Sequence, residues 1–279
     1  MNYRHHFHAG NFADVFKHVW LTRILVYLFR KEARLRYIET HAGAGLYDLG
    51  AEAAARTSEW RGGIGRLLSA QLSPACRDLL APYLNLVEPP AAGVSSAYRG
   101  SPLVAQALLR PQDRMTACEL HPQDFATLRA SLGRDPRVKA VEIDGYVGLD
   151  AFLPPMERRG LVLIDPPFED AREFDRLALA LARAHAKWAT GIYAVWYPLK
   201  GRHGDAALCL APAGAGPDRR LWIELRIAAG GGGVDNKLLG CGLLVINPPH
   251  GLREQCGIVM PELARALGEA GAGTWRVLP

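Results

Sequence analysis

The sequence predicts an α/β fold built on a mostly parallel, doubly wound sheet, and two observations support this. From residue 115 onward, short apolar runs rich in aliphatic and β-branched residues alternate with stretches of helical length, as in chains made of strand–helix–strand units. Several of these runs end on acidic residues or glycines, and the carboxyl ends of parallel strands are where open α/β sheets bind ligands. Residues 50–97 interrupt the pattern and are interpreted as a helical insertion.

The elements are predicted in order along the chain. Residues 1–10 form a basic arm that we expect to be mobile, and a helix follows at 11–31 with Val15, Val19 and Val26 on one face. Ser101 and Pro102 predict a helix at 101–110, with the serine as N-cap. The other predicted helices lie near 76–86 and at 123–132 and 174–188, and the predicted strands lie at 36–39, 115–119, 138–143, 161–164, 191–196, 221–228 and 242–246, the last two expected to be antiparallel.

The predicted domain organisation is one α/β domain with a single insertion. Residues 1–49 and 98–279 are assigned to the α/β domain, and residues 50–97 to a small helical subdomain. The insertion ends in a stretch rich in proline, alanine, glycine and serine, which is typical of a link. A glycine run at 230–233 cannot pack and predicts a mobile loop.

Composition and charge narrow the class of protein. The 279 residues are 49% hydrophobic and 22% charged, which is ordinary for a globular protein, and no apolar run reaches the length of a membrane span. The N-terminus has no apolar signal core, so we expect a cytoplasmic protein. The five cysteines are scattered without a C-x-x-C pair, which argues against a zinc site or a disulfide framework. The net charge of +5, with Lys and Arg outnumbering acids in residues 1–36, is compatible with a nucleic-acid partner.

The most informative motif is Asp165-Pro166-Pro167-Phe168, which directly follows the apolar run at 161–164. Neither proline can donate a ladder hydrogen bond, so the strand ends there in a stiff corner. The corner offers a carboxylate, carbonyl oxygens and an aromatic ring. An exocyclic amine on a purine needs acceptors for its N–H groups and a flat surface for its ring. The motif therefore predicts an amine-binding corner, although an ordinary strand-ending turn has the same local features.

Three more predicted strands end on residues suited to a ligand. The first leads into His41-Ala42-Gly43-Ala44-Gly45, where small side chains allow close approach to the backbone. Glu119 can accept from both hydroxyls of a ribose, and Asp144 can accept from an adenine amine beside the small Gly145. Each has a structural alternative, either a solvated charge or a common turn. Together they predict one crevice for a nucleoside cofactor with an amino-acid tail, S-adenosylmethionine, with S-adenosylhomocysteine as its product.

The chain resembles the RlmJ family of 23S ribosomal RNA adenine-N6 methyltransferases over nearly its whole length. The most specific part is the N-terminal string 3–18, because Asp-Pro-Pro-aromatic motifs occur in many amino-methyltransferases. The other matching segments are 40–45, 100–103, 119–122, Asp144-Gly145, 164–168, 190–194 and 246–249. The resemblance implies a Rossmann-like class I methyltransferase fold with a helical insertion. It also implies transfer of a methyl group from S-adenosylmethionine to N6 of one adenine in 23S rRNA.

The resemblance also implies roles for individual residues, carried over position by position. Asp165 takes the catalytic place with Pro166 and Phe168, and His5 and Lys17 match N-terminal positions implicated at the active site. Positions that match cofactor contacts are His18, His41, Gly43, Ser101, Glu119, Asp144 and Gly145, and positions assigned to the substrate are Tyr3, Arg4, His5 and Phe168. Two positions depart from the family: Phe168 stands where tyrosine is usual, and His6 where a small polar residue is familiar.

Several alternatives remain open from the sequence. Asn247-Pro248-Pro249-His250 also follows an apolar run, and asparagine can replace aspartate in such motifs. Asp165 is favoured because it is charged, precedes a true aromatic and belongs to the ordered series of strands. The alternative functions are a DNA adenine-N6 methyltransferase and a non-catalytic nucleic-acid-binding protein linked to DNA uptake. We expect a monomer acting on rRNA before full assembly, with no metal and no membrane partner, and we assign most tryptophans, including Trp196, to packing.

Overall fold

The computed structural model describes residues 5–87, 97–200, 216–228 and 238–279. Its strands are β1 Arg36–Glu39, β2 Leu46–Asp48, β3 Ala97–Arg99, β4 Arg114–Glu119, β5 Val138–Glu142, β6 Gly160–Ile164, β7 Ile192–Lys200, β8 Arg220–Arg226, β9 Leu238–Ile246 and β10 Thr274–Leu278. Its helices are α1 Phe12–Leu28, α2 Glu52–Thr57, α3 Arg66–Ser69, α4 Pro74–Leu84, α5 Ser101–Leu108, α6 Pro122–Leu132, α7 Gly145–Phe152, α8 Glu173–Lys187 and α9 Leu252–Leu267. None of the described helices is long and apolar enough to cross a membrane.

One eight-stranded sheet organises the molecule, in the order β10-β8-β9-β7-β6-β1-β4-β5. Strands β7, β6, β1, β4 and β5 are parallel, whereas β9 runs antiparallel to both β7 and β8. The predicted α/β fold with a mostly parallel sheet is confirmed, and so is the antiparallel end. The chain leaves β1 toward β4 and β5, then returns to β6 on the other side. The switch point therefore lies between β1 and β6, where open α/β sheets bind ligands.

Helix α1 begins where the sequence predicts and is buried almost all round. The Asn11 side chain accepts from the N–H groups of Ala13 and Asp14, so it satisfies donors that the first turn leaves free. The helix ends at Leu28, three residues before the predicted end. Its fully buried side chains include Val15, Phe16, Val19 and Trp20, which belong to the main apolar core. A helix held on all sides in this way keeps its polar residues in fixed positions.

The inserted segment is helical, and a two-stranded ladder joins the chain before it to the chain after it. Strands β2 and β3 pair antiparallel on either side of it, and neither was predicted. Cys76, Leu80 and Tyr83 of α4 are buried in the same core as α1. Because the segment shares that core, its assignment to a separate subdomain stays a prediction.

Helices α7 and α9 and strand β10 were not predicted from the sequence. Helix α9 contains Gly257 and Pro261, which weaken the local helical pattern. Its buried residues Val259, Met260 and Leu263 pack into the core and stabilise it instead. Strand β10 extends the sheet by pairing with β8. The glycine run at 230–233 lies outside the described residues.

Candidate active site

A large cavity opens at the carboxyl ends of β1, β4 and β6. It measures 1250 Å³ and is lined by many of the residues predicted from the sequence, namely Lys17, His18, His41, Gly43, Ser101, Glu119, Asp165, Pro166 and Phe168. Asp144 and Gly145 lie outside this lining. Tyr3 and Arg4 are outside the described residues, and so is the side chain of His5. Predicted residues from three strand ends and from α1 and α5 are thus brought to one place.

The Asp165 corner lies at the end of β6 and receives a lysine from α1. Lys17 Nζ donates to Asp165 Oδ2 at 2.6 Å and lies 3.1 Å from Asp14 Oδ1. Burial alone lowers the pKa of Lys17, but the charges of Asp165 and Asp14 outweigh it and raise that pKa well above its usual value. A charged lysine therefore holds one carboxylate oxygen of Asp165. Among the described residues, the hydrogen bond from Lys17 goes to this oxygen of Asp165.

Phe168 forms the apolar side of the corner. Its φ angle is +51°, a left-handed conformation that is uncommon for a bulky residue and is found at functional sites. Its ring centroid lies 4.9 Å from that of Phe174 and 5.9 Å from that of Trp196. The side chain is 9% exposed and lines the cavity, so packing on its two aromatic neighbours fixes the ring.

Glu39 is a buried acid behind the cavity lining, bonded to the lining residue Ser101, and its role was not predicted from the sequence. It is the last residue of β1 and accepts hydrogen bonds from Tyr37 Oη at 2.9 Å and from Ser101 Oγ. Burial raises the pKa of Glu39 to about 8, despite the lowering effects of Ser101 and Lys17. The sequence did contain a signal for Glu39, because it directly precedes the loop 40–45. The other three acids of the predicted site, Glu119, Asp144 and Asp165, also stand at strand ends.

Glu119 and the small-residue loop form the wall opposite the corner. Glu119 Oε2 accepts from the Gly43 N–H at 2.7 Å, and Glu119 Oε1 accepts from the His121 N–H at 2.8 Å. Gly43 has a φ angle of +63°, and a Cβ there would lie 2.4 Å from Tyr47 Oη. Burial raises the pKa of the Glu119 carboxyl. The backbone thus aims this carboxylate along the edge of the cavity.

His18, His41 and Ser101 complete the same wall. His18 Nδ1 lies 3.0 Å from Tyr98 Oη, and His41 Nδ1 lies 2.7 Å from Thr40 Oγ1. Burial lowers the pKa of His41 to about 4, so its ring is neutral near pH 7. Ser101 was expected to be the N-cap of α5, and this is wrong. Gly100 is the N-cap, and the Ser101 hydroxyl points to Glu39 instead.

Asp144 and Gly145 serve the start of α7. Asp144 Oδ1 accepts from the N–H groups of Tyr146 and Val147, and Arg176 donates to Oδ2 at 2.8 Å. Although burial opposes it, these bonds lower the pKa of Asp144. A Cβ at Gly145 would lie 2.3 Å from the Thr40 carbonyl oxygen. Glycine therefore allows the β1 loop to pack here, and a direct role of either residue toward a cofactor stays a prediction.

The rival motif at Asn247 lies at the opposite end of the strands, beside the amino end of β7, because β9 runs antiparallel to β7. Asn247 Nδ2 donates to the carbonyl oxygens of Ala189 at 2.9 Å and Gly191 at 2.7 Å. Its side chain thus ties two loops together and does not line the large cavity. Within the described ranges, no group of three or more His, Cys, Asp or Glu side chains is arranged to hold a metal ion.

Comparisons with known proteins show which family this chain resembles. A family model described as "Ribosomal RNA large subunit methyltransferase D, RlmJ" matches residues 32–278. Ribosomal RNA large subunit methyltransferase J of Escherichia coli (strain K12) is 40% identical over 275 residues, covering 98% of this chain and 96% of its own. The enzyme of the same name from Haemophilus influenzae is 38% identical over 279 residues, covering 99% and 98%.

A solved structure supports the fold as well. The crystal structure of a protein from Legionella pneumophila str. Philadelphia 1 superposes with a TM-score of 0.85 at 34% identity, covering 97% of both chains. The family resemblance seen in the sequence is confirmed over nearly the whole chain by these matches. This chain belongs to the RlmJ family of ribosomal RNA large subunit methyltransferases.

Proposed function

We propose that this protein transfers the methyl group of S-adenosylmethionine to the exocyclic N6 amine of one adenine in 23S ribosomal RNA, with Asp165 as the group that binds the amine. The observation that carries the proposal is the Lys17–Asp165 pair, 2.6 Å apart, in the lining of the cavity and at the switch point of the sheet. A free, unassembled rRNA substrate and a monomeric enzyme belong to the same proposal.

The cofactor site proposed here is the wall formed by the β1 and β4 ends. Glu119 has both carboxylate oxygens aimed by backbone N–H groups, an arrangement suited to the two hydroxyls of a ribose. His18, His41, Gly43 and Ser101 line the same side. The site therefore fits a nucleoside with an amino-acid tail, and that cofactor supplies an electrophilic methyl group on sulfonium when bound.

Asp165 and the Pro166 carbonyl accept the two N–H groups of the adenine amine in the proposed mechanism. The nitrogen lone pair is delocalised into the purine, and these bonds favour a more tetrahedral nitrogen aimed at the methyl group. Lys17 orients Asp165 through one oxygen and leaves the other for the amine. The acceleration then comes mainly from in-line positioning and electrostatics.

The charges around the corner favour this reaction. Two carboxylates, Asp14 and Asp165, stand against the single positive charge of Lys17 at this corner. Positive charge develops on the nitrogen as the methyl group arrives, and an excess of carboxylates stabilises it. The adenine must leave its stack to reach the pocket, and stacking on Phe168 offsets about 1–3 kcal/mol of that penalty.

The test compares Asp165→Ala with Asn247→Ala, because the two residues occupy look-alike motifs. With labelled cofactor and deproteinised 23S rRNA, Asp165→Ala is expected to lose methyl transfer by at least about a hundredfold, since the amine loses a charge-assisted bond and its orientation. Asn247→Ala should keep the catalytic rate on the protein that remains folded. Loss of transfer in Asn247→Ala alone would contradict the proposal.

The same assay separates the alternative functions. Pools of naked rRNA, assembled ribosomal subunits and DNA are incubated with labelled cofactor and wild-type protein. Label in rRNA alone supports the proposal, and label in DNA supports a DNA adenine-N6 methyltransferase. Binding without label in any pool would point to a non-catalytic nucleic-acid-binding protein.

A further inference from the structure

The large cavity continues past the Asp165 corner, away from the proposed cofactor wall. Its volume of 1250 Å³ exceeds the roughly 300–1,000 Å³ of an ordinary small-molecule pocket. The part beyond the corner is lined by Trp196, Pro198, Lys200, Ile227, Leu238 and Leu267, with the acid Glu269 beside Ile227. Neither the proposed cofactor site nor the proposed amine contacts use these residues.

Strands β7 and β9 carry four of these side chains, Ile227 directly follows β8, and Leu267 is the last residue of α9. Trp196, Pro198 and Lys200 alternate along β7, so they share one face of the sheet. Leu238 begins β9 and pairs with Lys200, and the Ile227 N–H donates to the Leu239 carbonyl at 3.0 Å. The β7 and β9 part of the wall therefore belongs to the sheet itself, and a hydrogen bond to β9 ties Ile227 to it.

Trp196 joins this wall to the chemical corner. Its ring centroid lies 5.9 Å from that of Phe168, and the two rings are inclined by 59°. The sequence analysis assigned Trp196 to packing, yet the residue is only partly buried and borders the cavity. A partly exposed indole beside the target pocket is suited to the face of a second base.

We propose that Trp196, with Pro198 and Lys200, binds the nucleotide next to the target adenine in the RNA strand. The inference rests on the proposed function, since it adds a subsite to the same reaction. An aromatic face stacks on any base, and a lysine at the rim of the wall attracts the phosphate of that nucleotide. The apolar Ile227, Leu238 and Leu267 suit a base better than a second charged ligand.

The test measures how Trp196 affects RNA and cofactor separately. Trp196→Ala should raise the KM for deproteinised 23S rRNA about tenfold or more while the Kd for S-adenosylmethionine, measured by calorimetry, changes less than about twofold. Trp196→Phe keeps an aromatic face and should restore most of the affinity for RNA. The matched control is Trp275→Ala, because Trp275 is 41% exposed on β10, at the far edge of the sheet.

Lys200→Gln supplies an independent readout. It should lower the slope of log Kd against log salt for RNA by the contribution of about one phosphate contact. Lys187→Gln on α8 should leave that slope unchanged, because Lys187 pairs with Asp150 at 3.0 Å. An unchanged KM in Trp196→Ala, or equal losses of RNA and cofactor binding, would overturn the inference. If the wild-type protein transfers no methyl group to rRNA, the proposed function is wrong. If the wild type transfers the methyl group and Trp196→Ala leaves the KM unchanged, only the proposed subsite is wrong.

Discussion

The contribution of the Phe168 ring to methyl transfer can be tested by two substitutions. Phe168→Ala removes the ring that packs on Phe174 and Trp196, so we expect methyl transfer to fall by about tenfold to a hundredfold. Phe168→Tyr keeps the ring and restores the residue usual in the family, so its rate should stay within about threefold of wild type. Single-turnover rates on rRNA check both. A Tyr variant as poor as the Ala variant would show that ring stacking is not what the position supplies.

Glu39 predicts a pH dependence of stability. An ordinary glutamate titrates near 4.5, and burial raises the pKa of Glu39 to about 8. Between these values the folded state keeps a proton that the unfolded state has lost, so folding stability falls as the pH rises from about 4.5 to 8. Glu39→Gln is neutral throughout and should lose that dependence, which is on the order of 5 kcal/mol over the whole range and about 3 kcal/mol between pH 6 and pH 9.

The measurement is denaturant unfolding of wild type and Glu39→Gln at pH 6 and pH 9. The control is Glu142→Gln, because Glu142 is an exposed acid at the end of β5 and should follow wild type. An identical pH dependence in wild type and Glu39→Gln would show that Glu39 is ionised in the folded protein.

The residues of the Asp165 corner could be predicted from the sequence, but the residues that contact them from other elements could not. The apolar run and two prolines before Phe168 are local signals, so the end of β6 could be read from a few adjacent residues. Lys17 and Asp165 are 148 positions apart, and only the packing of α1 brings them together. The resemblance implicated Lys17 at the active site, but no local pattern could indicate its bond to Asp165 or the burial of Glu39.

At the scale of elements, the loop after β1 and the start of α7 depend on one glycine. A Cβ at Gly145 would lie 2.3 Å from the Thr40 oxygen and 2.8 Å from His41 Cε1. Gly145→Ala should therefore destabilise the protein by about 1–3 kcal/mol and weaken binding of S-adenosylmethionine, because the loop that carries His41 must move.

Gly257→Ala is the matched control for that prediction. Gly257 lies within α9, is exposed, and a Cβ there would meet nothing within 4 Å. The substitution should stabilise the protein by about 0.5–1 kcal/mol, because alanine favours a helix over glycine. Thermal unfolding and calorimetry of both variants check the pair. Cofactor binding at the wild-type level in Gly145→Ala would contradict the proposed tie between this turn and the cofactor wall.

Helices and strands differ in how far local pattern predicted them. The parallel strands β1, β4, β5 and β6 were predicted to within about one residue, because short aliphatic runs bounded by acids mark them clearly. Strand β7 continues to Lys200, four residues past its predicted end. That extension depends on pairing with β9, a long-range contact, and it is what places Pro198 and Lys200 on the wall of the cavity.

At the scale of the whole molecule, the N-terminal segment joins the insertion and the sheet around the cavity. Residues His5–Phe7 form a short 3₁₀ helix, and His6 Nε2 lies 3.2 Å from Asp124 Oδ1 at the start of α6. His8 Nδ1 lies 3.0 Å from Glu59 of the insertion, and this bond raises the pKa of His8. The described end of the segment thus already contacts both sides of the cavity rim.

Removing residues 1–9 should therefore abolish methyl transfer while largely sparing cofactor binding. The proposed cofactor wall is built from β1, β4 and α5, and its contacts do not pass through residues 1–9. The RNA side of the cavity, in contrast, would lose its basic segment and its bridge between Asp124 and Glu59. Labelled-methyl transfer and calorimetry with S-adenosylmethionine are the two measurements.

A smaller change separates the bridge from the segment itself. His6→Ala removes only the contact with Asp124, so it should weaken transfer less than the truncation does. Unimpaired transfer by the truncated protein would show that the segment is not part of the RNA site. Loss of both cofactor binding and methyl transfer would instead show that residues 1–9 hold the insertion against the sheet. The shape of the whole cavity would then depend on these residues, because Glu59 and Asp124, which they contact, line it.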